Sequence, residues 1–160
     1  MPGESRSVAE RFWSKVDRSG DCWLWTAYIN DAGYGHFGVR DGVTVKAHRF
    51  AYELVRGAIP EGLTLDHRHT CPKHCVNPTH LRPATDKQQQ ENRAGAQRNS
   101  QSGVRGVYWR QDRGLWQAQV KHHKKNICVG RFTTKEEAEA AVIAKRIELF
   151  THNNADRIAG

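Results

Sequence analysis

The chain has 160 residues, 38% of them hydrophobic, and a formal net charge of +8. This length allows one domain or two small ones, whose modest cores would gain from a bound metal. No apolar run is long enough to span a membrane and the N-terminus lacks a signal-peptide core, so we expect a cytoplasmic protein. In that reducing compartment the four cysteines are better read as metal ligands, with one to spare, than as disulfides.

Before residue 95 the sequence predicts helices and short strands separated by turn residues. In chain order these are a helix at 8–16, a β-hairpin of 34–39 and 43–48, a helix at 49–57 and a strand at 63–67. Asp41-Gly42 is the hairpin turn, and Gly57 ends the second helix. After a loop at 68–79, Thr85 is a candidate N-cap for a further helix, because its hydroxyl can accept a hydrogen bond from a free amide.

Residues 94–103 have the small, polar composition of a linker, and a second set of elements follows them. Three strand-like runs lie at 103–109, 115–121 and 126–132. Thr134 and Glu137 then form a capping box, which predicts the start of a helix. Apolar residues at three- and four-residue spacing predict the buried face of this helix: Ala140, Ile143, Ala144, Ile147 and Phe150.

Basic charge is concentrated in the second of the two domains that this pattern predicts. The first domain, 1–95, has 13 Lys/Arg and 11 Asp/Glu, whereas residues 96–160 have 12 and 6. We place a linker at 96–102, the second domain at 103–152 and a tail at 153–160. Because polyanions bind basic surfaces, the favoured partner is a nucleic acid, bound mainly by the second domain.

One loop has the ligand spacing of a structural zinc site. Cys71 and Cys75 lie four residues apart, and His80 follows five residues later. Cys22 is the natural fourth ligand as the remaining cysteine of the first half, although a buried cysteine can also be a plain core residue. Two histidines of the loop compete for the fourth position: His69 and His74.

Asp66 and His67 come directly before the zinc loop and have the chemistry of a nuclease site. Phosphodiester cleavage needs an activated water, and a histidine can take its proton near neutral pH. His67 is therefore the candidate general base. Asp66 is a hard oxygen ligand, and one divalent cation can stabilise the charge that develops on the phosphate and the leaving oxygen.

Residues 8–95 resemble the HNH, or His-Me finger, endonucleases, and among them the zinc-containing His-Cys box homing endonucleases. The resemblance is carried by GYGHF, AHRFAYEL, IPEGLTLDH and CVNPTHL. It implies an α+β fold whose first domain is a zinc-stabilised ββα-metal nuclease. The Zn²⁺ ligands that it implies are Cys22, Cys71, Cys75 and His80.

The resemblance also implies a catalytic Mg²⁺ or Mn²⁺ ion with Asp66 as one ligand. A second ligand is expected nine residues after His80, at Gln89, where the family usually has asparagine. Gln89 offers the same carbonyl oxygen one methylene further out. Asn92, three residues on and on the same helical face, is an equal alternative. Arg49, at the strand–helix junction, is a candidate phosphate contact or a plain surface charge.

Strand alternation in LWQAQVK predicts a sheet with one apolar and one polar face. Trp116, Ala118 and Val120 share the face suited to the helix. The opposite face carries two amides that can read adenine and a cation for phosphate: Gln117, Gln119 and Lys121. Two lysines of the following turn are candidate phosphate contacts: Lys124 and Lys125.

Residues 103–150 are similar to the ethylene-response-factor type of DNA-binding domain, on the motifs GVRGV, WQAQV, VGRF and TTKEEAEAAV. That resemblance implies a three-stranded antiparallel sheet packed on one helix, with the sheet in the major groove. The contacts that it carries over are Arg105, Tyr108, Arg110, Gln119 and Lys121. Cys128 stands where that family has a tryptophan, so this chain lacks one of its contacts.

The sequence thus predicts a DNA endonuclease that uses a histidine base and one divalent ion, for site-directed nicking or homing-type cleavage of double-stranded DNA. A monomer would nick, and a homodimer could cut both strands. A bacterial or phage-infected cell is the expected setting. The alternative is a sequence-specific DNA-binding regulator in which Gln89 marks a nuclease fold that has lost its catalytic metal.

Overall fold

A computed structural model describes residues 6–68, 71–93 and 95–158 of the chain. Contacts between residues divide the chain into two compact units, residues 1–86 and residues 87–160. The sequence predicts an end to the first domain at 95, nine residues later, and that functional boundary stays a prediction. No helix within the described ranges is both long and apolar enough to cross a bilayer.

In its described residues the first unit has short helices and three two-stranded antiparallel sheets, each formed by consecutive strands. Its elements are α1 (Val8–Trp13), β1 (Val16–Asp17), β2 (Leu24–Trp25), β3 (His36–Arg40), β4 (Val43–Lys46), α2 (Ala47–Arg56), β5 (Thr64–His67) and β6 (Leu81–Ala84). The predicted hairpin is confirmed as β3–β4. The helix predicted at 49–57 is also confirmed as α2, which starts at Ala47, within the predicted strand 43–48, and has Gly57 as its C-cap, where a φ of 86° favours glycine.

Strand β6 is an element that sequence reasoning missed. It contains Pro83, which lowers the expectation of a strand because proline cannot donate a ladder hydrogen bond. In a two-stranded sheet, however, each strand has an edge on which that missing donor costs nothing. The pairing with β5 sets Asp66 opposite Arg82 and His67 opposite Leu81.

The core of the first unit is built from aromatic rings. Phe12 is fully buried, and its ring centroid lies 5.1 Å from both the Trp25 and the Phe37 centroids. Gly35 passes close to this cluster, since a Cβ at that position would come within 2.5 Å of the Trp25 ring. The aromatic residues near the chain start thus pack onto the hairpin and bring residues 21–25 towards the loop after β5.

The second unit contains one three-stranded antiparallel sheet with strand order β7–β8–β9. Its elements are α3 (Asp86–Glu91, which spans the division), β7 (Val107–Arg110), β8 (Leu115–His122), β9 (Lys125–Phe132), α4 (Lys135–Leu149) and α5 (Asn154–Ile158). Helix α4 packs on the sheet through a core that includes Ala118, Val120 and Val142. The predicted capping box is confirmed, because the Thr134 hydroxyl accepts from the Glu137 amide at 3.2 Å and the Glu137 carboxylate accepts from the Thr134 amide at 3.2 Å.

The buried face of α4 differs from the one that the apolar spacing predicts. Ala140, Ala144 and Ile147 are exposed and Ile143 is half-buried, whereas Phe150 is buried as predicted. The buried residues of the helix are spaced by four: Ala138, Val142 and Arg146. The predicted face was wrong because apolar spacing takes no account of a buried arginine.

Arg146 is buried because its charge is fully paired. Its guanidinium donates to both carboxylate oxygens of Asp156, at 2.6 and 2.8 Å, and to the Arg105 carbonyl at 2.6 Å. Asp156 also accepts from the Asn153 side chain at 2.7 Å. Residues 153–158, predicted as a tail, are therefore part of the packed second unit.

Candidate functional site

Four predicted metal ligands of the first unit lie together. The ligand atoms of Cys22, Cys71, Cys75 and His80 are all within 4.8 Å of one another. His80 Nδ1 is 3.3 Å from the sulfur of Cys71 and 3.8 Å from that of Cys75, and the Cys22 and Cys71 sulfurs are 3.5 Å apart. Among the described residues this is the one group with such an arrangement. The group includes Cys22, which the sequence predicts as the fourth ligand; His69 lies outside the described residues and His74 is not in the group.

Backbone hydrogen bonds bring the two halves of this cluster together. The Val76 amide donates to the Trp23 carbonyl at 2.7 Å, and the Trp25 amide donates to the His74 carbonyl at 3.0 Å. The Asn77 side chain donates to the Asp21 carbonyl at 2.9 Å. The segment before β2 is thus fixed beside the loop, and the Asn77 side chain has a structural role in holding it there.

The cluster fits a structural Zn²⁺ ion. A tetrahedron with Zn–S bonds of about 2.3 Å has edges of about 3.8 Å, close to the observed separations between the ligand atoms. His80 is 3% exposed, and its Nε2 lies 3.4 Å from an Asp21 carboxylate oxygen, the arrangement that orients a metal-bound histidine. Burial, followed by the neighbouring Cys22 and Cys75, raises the pKa of the Cys71 thiol to about 12. A bound cation would reverse this by stabilising the thiolate.

The candidate base His67 is held by the same loop. Its Nε2 lies 2.9 Å from the carbonyl oxygen of Cys75. A carbonyl only accepts hydrogen bonds, so Nε2 carries the proton and Nδ1 is the basic nitrogen of the neutral ring. One backbone contact from a cluster residue thus sets the tautomer and the orientation of this imidazole.

His67 lies in a half-buried group of rings. The His48 ring centroid is 5.0 Å from that of His67, and the Tyr34 centroid is 6.3 Å from it. Burial lowers the pKa of His67, opposed by its hydrogen bond to Cys75 and by Asp66. Burial, followed by the nearby charges of His67 and Lys46, lowers the pKa of His48 to about 3. Both effects favour neutral imidazoles at neutral pH.

Asp66 has a partner that the sequence did not indicate. Its Oδ2 accepts from Arg82 Nη2 at 3.1 Å, across the β5–β6 ladder. The missed strand β6 hid this contact, because Arg82 can be placed opposite Asp66 only once the pairing is known. Arg82 is therefore a basic residue of the candidate site that sequence reasoning left out.

Gln89 and Asn92 lie in and just after α3, beyond the division between the units. Gln89 is half-buried and Asn92 is 8% exposed, and the Asn92 amide continues the helix by donating to the Gln88 carbonyl at 3.0 Å. Their choice as ligands of a catalytic ion stays a prediction. Arg49 is exposed on α2, where its Nη2 lies 3.9 Å from a Glu53 carboxylate oxygen.

The predicted DNA-contacting residues of the sheet share its open face. Ladder partners place Tyr108 beside Gln117, and Gln117 beside Arg131, in one row across the three strands. The remaining predicted residues of the sheet and of the following turn are Arg110, Gln119, Lys121, Lys124 and Lys125, of which all but Gln119 are exposed. Arg110 also forms an exposed ion pair with Asp112 at 3.1 Å.

Arg131 is a further basic residue of this face that sequence reasoning missed. Simple alternation in NICVGRF puts Cys128 and Arg131 on opposite faces. In the structure Gly130 pairs with Ala118 and Cys128 with Gln119, so Val129 is an extra residue in a bulge. The bulge brings Arg131 to the same face as Cys128.

Arg105 occupies a different place from the other predicted contacts. Its guanidinium donates to the carbonyl oxygens of Gln90, Glu91 and Arg93, at 2.7, 3.1 and 2.6 Å. These carbonyls belong to the C-terminal end of α3, where a cation is stabilising. A DNA contact by Arg105 would require these hydrogen bonds to break.

Comparison with known proteins agrees with the chemistry of this site. Residues 45–91 match the family model described as HNH endonuclease, a segment that includes Asp66, His67 and three of the four cluster residues. This match supports a nuclease. The chain is also similar to Protein 7.7 of Escherichia phage T7, with 38% identity over 71 residues, 44% of this chain and 53% of that protein. The chain thus spans about half the length of this relative. No solved structure matches the chain.

Proposed function

We propose that the protein is a metal-dependent DNA endonuclease in which His67 is the general base. The observation that supports this most directly is the 2.9 Å contact between His67 Nε2 and the Cys75 carbonyl. It leaves Nδ1 as the basic nitrogen of a ring that is fixed next to a Cys₃His cluster. The match of residues 45–91 to HNH endonucleases supports the same reaction.

In the proposed reaction His67 Nδ1 takes a proton from the water that attacks the scissile phosphorus. The products then carry 5′-phosphate and 3′-hydroxyl ends, as the resemblance to HNH enzymes implies. The Cys₃His cluster would hold Zn²⁺ and keep the Cys75 carbonyl in place, so that the metal orients the base without taking part in the chemistry.

Asp66, with Gln89 or Asn92, would hold Mg²⁺ or Mn²⁺. When bound, such an ion stabilises the negative charge on the phosphate and on the leaving oxygen. The Asp66 carboxylate fits this role because carboxylate oxygens are the hard ligands that Mg²⁺ and Mn²⁺ prefer. Arg82, beside Asp66, would neutralise further charge on the bound phosphate.

The sheet of the second unit would supply DNA affinity and sequence preference. Tyr108, Gln117, Gln119 and Lys121 would face the DNA, with Arg131 in the same row. Charges at Arg110, Lys124 and Lys125 would position the backbone. Whether the product is a nick or a double-strand break depends on the number of chains on the DNA, and we propose that the setting is the cytoplasm of a bacterial or phage-infected cell.

A DNA-binding regulator without nuclease activity is the second candidate function. The ion pair between Asp66 and Arg82 favours it, since the carboxylate is already partly neutralised. Gln89 in place of asparagine favours it as well. This candidate keeps the zinc cluster and the DNA-binding face, and lacks only the catalytic ion.

Supercoiled plasmid distinguishes the two functions. With Mg²⁺ the wild-type protein is expected to convert plasmid to open circles, EDTA to stop this, and His67→Ala to slow it about 10²–10⁴-fold, the usual contribution of a general base. His36→Ala is the matched control, because His36 is a half-buried histidine of the same unit whose ring contacts Asn30. Zinc content equal to wild type would show that the His67 variant is folded. DNA binding by wild type without any nicking would favour the regulator.

A further inference from the structure

Tyr34 lies beside two lysines of the first unit. Lys46 Nζ is 4.9 Å and Lys73 Nζ is 5.4 Å from the centroid of its ring. Both lysines are exposed, and Lys73 Nζ also donates to the Ala32 carbonyl at 3.2 Å. The face of an aromatic ring attracts cations, so Tyr34 keeps two positive charges near one another.

The backbone of Tyr34 is held by two hydrogen bonds. The Tyr34 amide donates to Asn30 Oδ1 at 2.9 Å, and the Asn30 amide donates to the Tyr34 carbonyl at 2.9 Å. These two bonds close a turn before β3. The ring that both lysines approach is therefore carried by a hydrogen-bonded turn.

This ring is also next to the candidate base. The Tyr34 centroid is 6.3 Å from the His67 centroid, so both ammonium groups lie within about 12 Å of the His67 ring. Phosphates of one DNA strand follow each other at roughly 3.4 Å along the helix axis. The two lysines can thus reach phosphates a few nucleotides from a scissile linkage bound next to His67.

Within the described part of the chain neither Lys46 nor Lys73 has an ion-pair partner within 4 Å. Lys46 is the N-cap of α2, which has neither a side-chain cap nor an acidic residue in its first turn. His48, in that turn, is 4% exposed, and its Nδ1 has no hydrogen-bond partner among the described residues. The positive helix end and the two ammonium groups together favour an anion here.

We propose that Tyr34, Lys46 and Lys73 form a phosphate platform, which holds DNA backbone phosphates beside the linkage that is cleaved next to His67. The inference rests on the proposed nuclease function and adds a positioning role to it. The ammonium groups bind as point charges without reading sequence. Tyr34 keeps the ammonium groups in place, and the sheet of the second unit supplies the preference for a DNA sequence.

The test uses the full-length protein and a duplex that contains its nick site. For Lys46→Ala/Lys73→Ala, the slope of log affinity against log salt should fall by about 0.9 for each lost phosphate contact. Lys15→Ala is the matched control, because Lys15 is also exposed and its Nζ lies 5.9 Å from the Phe37 centroid of the same unit. The slope for Lys15→Ala should equal the wild-type slope. The slope for Lys46→Arg/Lys73→Arg should be close to the wild-type slope, because both positive charges are kept.

Phosphate ethylation locates the contacts. Ethyl groups on phosphates a few nucleotides from the nick should slow the wild-type protein, and should slow the double alanine variant no further. A double variant with the wild-type salt slope, or with the wild-type ethylation pattern, would overturn the platform while the nuclease stands. If the wild type nicks no DNA, the nuclease proposal fails. In that case the salt slope still tests the platform: an equal slope in the wild type and the double alanine variant would refute phosphate binding there as well.

Discussion

The two units bury different kinds of side chain. The first unit packs Phe12, Trp25 and Phe37 together and adds a Cys₃His cluster at the end of this core. The second unit has a smaller apolar core and buries charged groups instead, with Glu91 3% and Arg146 5% exposed. One small core is thus supplemented by metal ligands and the other by ion pairs, so the two units should respond to different perturbations.

The largest expected effect is the loss of metal from the first unit. A strong chelator should unfold it, because structural Zn²⁺ contributes on the order of 10–16 kcal/mol of apparent binding free energy to small domains. The second unit should stay folded. Amide hydrogen exchange measures both at once: Phe37 and Val76 should lose protection, while Ala118 and Val120 keep it.

Cysteine variants provide the control for the chelator. Cys75→Ser should lower the zinc content, whereas Cys128→Ser should not, because Cys128 is exposed on β9 and outside the cluster. Equal loss of protection in both units would refute the idea that they are stabilised separately. Retained protection at Phe37 would show that the aromatic core suffices without metal.

The second unit should instead depend on Arg146. Arg146→Ala leaves Asp156 without its main partner, and breaking a buried pair costs about 3–5 kcal/mol. Lys145→Ala is the neighbouring control, since its exposed pair with Glu148 should contribute only about 0–1 kcal/mol. Urea unfolding with hydrogen exchange at Val120 compares the two variants. A similar small loss in both would mean that the buried pair contributes no more than an exposed one.

The same comparison shows which parts of the fold the sequence could predict. The cluster was predictable because Cys71, Cys75 and His80 lie within ten residues, so ligand type and spacing nearly define the site. The hairpin β3–β4 was predictable from Asp41-Gly42, a local turn signal. Both predictions depend on residues that are close in the chain.

The errors come from polar partners and strand pairings that residue type and spacing do not indicate. Arg146 is buried because Asp156 and the Arg105 carbonyl satisfy it, and neither contact is visible in the spacing of α4. Arg82 meets Asp66 only through a strand that contains Pro83. In each case the expectation followed the usual preference of the residue type: arginine is expected at the surface and proline outside strands. A specific partner overrides that preference.

The hairpin turns of the two units offer the smallest and most local comparison. The turn of β3–β4 has Gly42 at a φ of 72°, a conformation that glycine adopts at little cost. The turn of β8–β9 has His123 at 46° and Lys124 at 65°, where side chains are strained. Two-residue hairpin turns prefer Asn-Gly in this conformation.

His123→Asn/Lys124→Gly should therefore raise the free energy of unfolding of the second unit by about 1–2 kcal/mol. If Lys124 contacts a DNA phosphate, as proposed, the same variant should reduce the salt slope of DNA binding by about 0.9. His123→Asn alone separates the two effects, because it relieves strain and keeps the lysine. A more stable double variant with an unchanged salt slope would contradict the phosphate contact. Weaker DNA binding together with a higher free energy of unfolding would instead show that Lys124 contributes to DNA binding at a cost in stability.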